Sequence, residues 1–326
     1  MPHRTKIKWV AEILRRAAGR SVQRVGPATI NAPLLDQTEL AALLRSAQTL
    51  SPAWPYAGDV QHPHSGDFRS RTLGTGLDFE TARPYQPGDD LRRMDWRTTA
   101  RTGKAFVKTY REEHRPQLHL VLDRGASMRF GTRSQLKVTQ AARIAVLLAV
   151  VNARNHIAIG ATLWQPQDVT LPSRRGEDGV LQLIHAVIAP CPPLPAAAPQ
   201  ALALAQVLRM LNTQLPEGSR VVFISDLRQF STADFPELAH LAARHQVSAY
   251  QVLDPAECEL PDVGLRRFVD ISSGHSNRLD THNAVVRTAF NAKAAALHQA
   301  QRALLARAGI MLQVCMTNAD VLNSCA

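Results

Sequence analysis

The sequence predicts an α/β protein: a doubly wound, mostly parallel sheet of the Rossmann type, preceded by a smaller β-rich module and by N-terminal helices. Three observations carry that reading. After Pro116, short apolar runs alternate with helix-length segments, the pattern of βαβ crossovers. Before Pro116 the chain is polar, arginine-rich and punctuated by glycine. Of 326 residues, 45% are hydrophobic and 20% charged, a composition that can bury a core. Composition places the boundaries at 1–64 for the N-terminal helices and a Pro-rich linker, 65–116 for the arginine-rich β module, and 117–326 for the α/β domain.

The elements follow in order. Ile7, Val10, Ile13, Leu14 and Ala17 recur at helical spacing among basic residues, so 5–18 reads as a basic amphipathic helix. A second helix spans 36–47, and a Pro-rich turn region covers Pro52 to Pro63. In the arginine-rich module, Lys104 to Tyr110 alternates like a strand. Leu118 to Asp123 is a short apolar strand ending in an acid, and Ser134 to Asn152, apolar nearly all round, is a buried helix. His156 to Trp164 is a strand, with Gln167 to Ser173 as its hairpin partner and Asp178 to Ala189 as a helix. Prolines make Pro190 to Pro199 a loop. Ala201 to Leu215 is helical, and Arg220 to Leu227 is the clearest buried strand. Then come a helix from Ala233 to His245, a strand from Val247 to Asp254, a long helix from Ala284 to Ala308, and a last strand from Ile310 to Met316.

The net charge is +11, and it is uneven. Arg4, Lys6, Lys8, Arg15, Arg16, Arg20 and Arg24 face only Glu12, so the first segment carries +6. Such a cluster suits phosphate, a membrane surface or an acidic protein, although a solvated helix face has the same composition. The segment has neither the continuous apolar stretch nor the cleavage site of a secretory signal. No run reaches the ~20 apolar residues that span a bilayer, since Ala141 to Ala153 is short and broken by Arg143. Cys191, Cys258, Cys315 and Cys325 are scattered with no CxxC pair, which argues against a zinc site or a disulfide scaffold. A reducing compartment, the cytoplasm, is the expected location.

Ligands of an open α/β sheet bind at the carboxyl ends of its strands. Two predicted strands end there in acids, Asp123 and Asp226. With the Ser127 hydroxyl they form a set of hard oxygen ligands of the kind Mg²⁺ prefers, or they cap the following helices. In the arginine-rich module, Gly74 and Gly76 lack the strand-turn-helix context of a phosphate loop. Arg83, Arg92, Arg93, Arg97 and Arg101 suit phosphates, but Asp78, Glu80, Asp89, Asp90 and Asp95 interleave with them, favouring internal ion pairs. Trp96 can stack on a base, or anchor packing as tryptophans between charged neighbours more often do. Neither GxSxG nor HExxH occurs, and no catalytic residue is assigned. A metal nuclease built on Asp89, Asp90, Glu112 and Glu113 is the enzymatic alternative.

The stretch GTGLDFETARPYQPGDDLRRMDWRTTARTGKAFVKTYREE, followed by LHLVLDRGASM, resembles the bacterial domain-of-unknown-function 58 family. The hallmark R-x-Y-x-P-G-D-D-x-R-x-I-D-W-x-x-x-A-R is matched in register by Arg83, Tyr85, Pro87, Gly88, Asp89, Asp90, Arg92, Asp95, Trp96, Ala100 and Arg101. The likeness runs from Ser65 to Asn318, through Ser225 to Leu227 and Leu253 to Pro261. It implies a von Willebrand factor type A-like domain after Pro116, a metal-ion-dependent adhesion site, and partnership with a MoxR-type AAA+ ATPase as substrate adaptor or co-chaperone. Many relatives carry N-terminal transmembrane helices, and this chain resembles the soluble short form.

One part departs from the family pattern. Gly125 stands where the D-x-S-x-S run has its first serine, and Pro193 to Gln200 offers no threonine ligand. Arg124 beside the acids adds like-charge repulsion. The expectation is therefore a degenerate site of Asp123, Ser127 and Asp226, holding Mg²⁺ weakly or not at all. The leading reading is a non-enzymatic adaptor for protein clients, acting with the ATPase through that sheet edge and the Arg69 to Arg115 module. Nucleic-acid binding is the alternative, and a third reading is peripheral membrane contact through the basic N-terminal helix.

Overall fold

The computed structural model describes residues 32–50, 73–74, 78–86, 94–111, 117–132, 135–164, 168–192, 202–269 and 276–324. The expected helix 5–18 and the Pro-rich segment 52–63 lie outside them, as does most of the 190–199 loop. The chain divides into a larger unit, residues 1–58, 116–215 and 219–326, and a smaller one, residues 59–115 with 216–218.

Helix α1 (Gln37–Thr49) begins at Asp36, whose carboxylate accepts the Glu39 N–H at 2.7 Å. Leu40, Leu43, Leu44 and Ala47 fall on one face and are buried in the core of the larger unit. Composition grouped this helix with the N-terminal segment, but its side chains belong to the α/β domain. Glu39 pairs with Arg143, and Arg154 donates to the carbonyls of Ala47 and Leu50 at 2.8 and 3.0 Å.

The smaller unit is a three-stranded antiparallel sheet, order β1-β3-β2, of β1 (Leu73–Gly74), β2 (Asp78–Pro84) and β3 (Phe106–Arg111). Helix α2 (Trp96–Thr102) lies between β2 and β3 in the chain. The strand expected at 104–110 is β3, whereas α2 was not read from the arginine-rich pattern. Its start and stop signals are local: Asp95 accepts the N–H groups of Arg97 and Thr98, both at 3.2 Å, and Gly103 closes the helix at φ +70°.

In the larger unit come β4 (Gln117–Asp123), helix α3 (Lys137–Arg154), β5 (Ala158–Trp164), β6 (Val169–Arg174) and helix α4 (Gly176–Val187). Next are α5 (Leu204–Gln214), β7 (Arg220–Ser225), α6 (Phe235–Arg244) and β8 (Gln246–Leu253). The short α7 (Pro255–Cys258), the hairpin β9 (Leu265–Val269) and β10 (Ser276–Asp280), α8 (Ala284–Arg307), β11 (Met311–Met316) and α9 (Val321–Ser324) complete the chain. Six strands form one sheet, order β11-β8-β7-β4-β5-β6, parallel throughout except for β6, which runs antiparallel to β5. The α/β prediction is met, with every strand read after Pro116 in this sheet.

Strand periodicity of two explains the double winding. Leu118, Leu120 and Leu122 of β4, with Val222 and Ile224 of β7, face a core shared with α1, α3 and α4. Val121, Val221 and Phe223 face the opposite core, with α5, α6 and the end of α8. Both faces are covered, and because β4, β7 and β8 are parallel neighbours their carboxyl ends emerge together at one edge. No helix among the described residues is long and apolar enough to cross a membrane.

Candidate polar site at the carboxyl edge of the sheet

Asp123 ends β4, Ser225 ends β7, its neighbour in the sheet, and Asp226 follows directly. Both carboxylates are buried, at 1% and 2% exposure. Asp123 Oδ1 accepts the Gly125 N–H at 2.8 Å, and Oδ2 accepts the Ser225 hydroxyl at 2.7 Å. Ser225 Oγ in turn accepts the Leu227 N–H at 3.0 Å. Leu227 sits at φ +61°, a left-handed conformation that costs a leucine about 1 kcal/mol or more. That turn directs Asp226 back toward the sheet. It is fixed by Gln301, which donates to the Leu227 carbonyl at 2.8 Å and accepts from Gln251 at 2.7 Å.

The cation facing these acids is Lys137, the first residue of α3. Its Nζ lies 2.7 Å from Asp226 Oδ2 and 2.8 Å from Glu257 Oε1 of α7, and its side chain is wholly buried. A cation in the first turn opposes the helix dipole, and burying an ammonium costs several kcal/mol unless it is paired. Two carboxylates meet that demand. Arg228 adds a second cation, with Nη2 donating to Glu257 at 3.1 Å and Nε 3.7 Å from Asp226. Two cations therefore stand against two anions. Burial first, and the Asp226 charge second, push the Asp123 carboxyl up to about 7.

A second acid ties the same edge together. Asp254 follows β8 and accepts the Thr132 N–H at 2.9 Å, the Ala256 N–H at 3.0 Å, the Thr317 hydroxyl at 3.1 Å and the Thr132 hydroxyl. Burial alone would raise its carboxyl, but these donors hold it below the usual carboxylate range. Asp254 thus joins the loops after β4, β8 and β11.

The structure brings Asp123 and Asp226 together through Ser225, while Ser127 lies half-buried in the 3-10 turn Ala126–Arg129. Arg124, expected to repel a cation here, turns instead to the end of α4. It donates to the carbonyls of Ala186 and Ala189 at 3.1 and 2.7 Å and to Cys191 Sγ at 2.8 Å. The residues do not fit the divalent cation implied by the resemblance: Lys137 already meets Asp226 and Glu257, and Gly125 supplies no hydroxyl. Among the described residues, no group of three or more His, Cys, Asp or Glu is placed to hold a metal.

Of the motif residues in the smaller unit, Arg83 lies in β2 opposite Val107, and the Tyr85 N–H donates to the Ala105 carbonyl at 2.9 Å. Asp95 is buried and caps α2, also accepting the Thr98 hydroxyl at 2.7 Å. Trp96, for which packing was the commoner expectation, is 67% exposed, and Arg101 is exposed. The reason is the shortness of α2, a seven-residue helix with no buried side chain. Gly88, Asp89, Asp90 and Arg92 lie outside the described residues.

Sequence reasoning missed Lys137, Glu257, Ser225 and Asp254 as individual groups. Three of them fall in the two segments that carried the resemblance, Ser225 to Leu227 and Leu253 to Pro261.

Residues 81–301 match the family described as "Protein of unknown function DUF58". Uncharacterized proteins of Mycobacterium bovis and Mycobacterium tuberculosis are each 35% identical over 283 residues, covering 84% of this chain and 85% of theirs. Among solved structures, the conserved hypothetical protein BatB from Bacteroides thetaiotaomicron aligns at 15% identity and a TM-score of 0.37, over 60% of this chain and 98% of BatB.

Proposed function

This chain belongs to the DUF58 family, and we propose that it is a non-enzymatic protein-binding adaptor that works with a MoxR-type AAA+ ATPase. One observation carries the reading: beyond β8 and α7 the chain forms an exposed arm, the β9–β10 hairpin, that is apolar and basic. Four of the eight large apolar residues exposed among the described residues, Val263, Leu265, Val269 and Val285, fall between the start of the arm and the first turn of α8. Such clustering marks a contact surface, whereas single exposed apolar residues mean nothing.

The arm is built to hold its place. Thr281 is buried at its base, where its hydroxyl accepts the Val263 N–H and donates to the Gly264 carbonyl, both at 2.8 Å. Arg287 of α8 donates to the carbonyls of Thr281 and His282 at 2.5 and 2.9 Å. Beyond this anchor the hairpin pairs Arg267 directly opposite Arg278. Like charges placed so are unfavourable, and an acidic partner would relieve them. Apolar side chains beside exposed arginines suit a protein surface better than a phosphate backbone.

The buried groups of the polar site support a scaffold role for it. Asp123, Asp226 and Lys137 are sealed, so they shape the edge and leave contact to the arm. Trp96 of the smaller unit offers a second exposed anchor.

Affinity capture from a nuclease-treated native extract tests the proposal. The wild-type chain is expected to retain an AAA+ ATPase, and the double variant Leu265→Asp/Val269→Asp to lose it while melting at an unchanged temperature. The net charge of +11 favours nucleic-acid binding as the second reading. Recovery of nucleic acid alone, released steeply by salt, would establish that reading instead.

A further inference from the structure

We infer that the Lys137 ammonium is the resident cation of this sheet edge, standing in for a divalent metal and making the edge independent of one. The inference goes beyond the adaptor reading and rests on geometry alone.

A cation at this edge has two physical tasks. It must neutralise acids that the strands deliver into a buried place, and it must tie together loops that are distant in sequence. Lys137 does both. Its partners Asp226 and Glu257 lie 89 and 120 residues further along the chain, at 2.7 and 2.8 Å. One ammonium therefore joins the start of α3, the turn after β7 and the start of the segment after β8. The same carboxylates are shared outward with Arg228, which is 53% exposed, and inward with the backbone: Glu257 Oε2 accepts the Asp254 N–H at 3.1 Å.

The arrangement also excludes a metal. Asp226 Oδ1 accepts the Arg228 N–H at 3.1 Å and Oδ2 holds Lys137, while both Asp123 oxygens are engaged by Gly125 and Ser225. A dication entering here would displace these donors and face an ammonium at close range in a poorly screened interior. Because Lys137 belongs to the chain, its supply does not vary with the medium. The edge is thus held permanently in its cation-loaded form, and divalent ions cannot switch it.

Two measurements on the full chain test this. In the first, Mn²⁺ is titrated and followed by electron paramagnetic resonance, and the melting temperature is compared in millimolar MgCl₂ and in EDTA. No saturable site and no shift in melting temperature are expected. One Mn²⁺ per chain, bound saturably and lost in Asp226→Asn, would overturn the inference. In the second, Lys137→Met is compared with Lys137→Met/Asp226→Asn. Removing Lys137 leaves Asp226 and Glu257 with Arg228 as their shared cation, so the single variant is expected to melt roughly 10 °C lower, and the charge-balanced double variant to regain at least half of that loss. A Lys137→Met protein that melts like the wild type would contradict the role. Should that variant fail to fold, recovery of folding in the double variant and the wild-type titration decide the matter.

Discussion

At the residue scale, Asp123 is the most informative group in the molecule. Its carboxyl is raised from an ordinary 3.8 to about 7, by burial first and by Asp226 second. The sign of the linkage follows from that direction. Below pH 4 the carboxyl is protonated in both folded and unfolded chains, and it costs nothing. Between pH 4 and 7 the unfolded chain ionises first, so this group withdraws stability as pH rises. Asp123→Asn removes the ionisation, and its amide oxygen can still accept the Gly125 N–H. Thermal melts from pH 4 to 8 should show the variant gaining on the wild type as pH rises through this window. A constant difference across the range would mean that Asp123 ionises normally. His119 works in the opposite direction: burial, then His245, lowers it from 6.5 to about 4, and its ring contacts the Thr162 hydroxyl at 2.9 Å. Its contribution is lost as pH falls from 6.5 toward 4; His298, also lowered by burial first, acts with the same sign, so acid sensitivity in that range belongs to these histidines and not to Asp123.

At the scale of elements, burial separates scaffold from surface. Leu44 of α1 is wholly buried against the α/β core, so Leu44→Ala is expected to cost about 3 kcal/mol in denaturant unfolding. Leu265 of the arm is 60% exposed, and Leu265→Ala should change stability by less than about 0.5 kcal/mol. The loop that leads into α3 is equally demanding. A Cβ on Gly131 would lie 2.0 Å from the Gln135 carbonyl oxygen, so Gly131→Ala must move backbone next to Lys137. Circular dichroism melts should place that variant well below the wild type, and an unchanged melt would show the loop to be slack. The same contrast governs what could be read from sequence. Strands β4, β5, β7 and β8 of the large sheet announce themselves because both of their faces are buried, giving continuous runs such as Arg220 to Leu227. The β9–β10 hairpin is mostly exposed, with only Phe268 and Leu279 half-buried, so LRRFV and SNRLD show no apolar alternation and do not read as strands. Helix α2 was hidden for a related reason: its signals are the capping Asp95 and the closing Gly103, and it has no apolar face.

For the whole molecule, topology creates what local sequence cannot display. Asp123 and Asp226 were legible because acids at the ends of parallel strands point to a common edge. Lys137 was not, because a lysine at the start of an apolar helix reads as a solvated end until the fold brings two distant carboxylates to it. The family likeness marked the segments holding Ser225, Asp254 and Glu257, but only the sheet order gives those residues a shared role. In the proposed adaptor, the buried and balanced ionic cluster is scaffold and the exposed arm is the contact surface. The most direct test of that claim is titration of the purified full chain into a purified MoxR-type AAA+ ATPase, followed by calorimetry in MgCl₂ and again in EDTA with the ATPase already assembled. Saturable binding of equal affinity is expected in both, abolished by Leu265→Asp/Val269→Asp. Absence of binding in either buffer, with tight salt-sensitive binding to nucleic acid in its place, would contradict it.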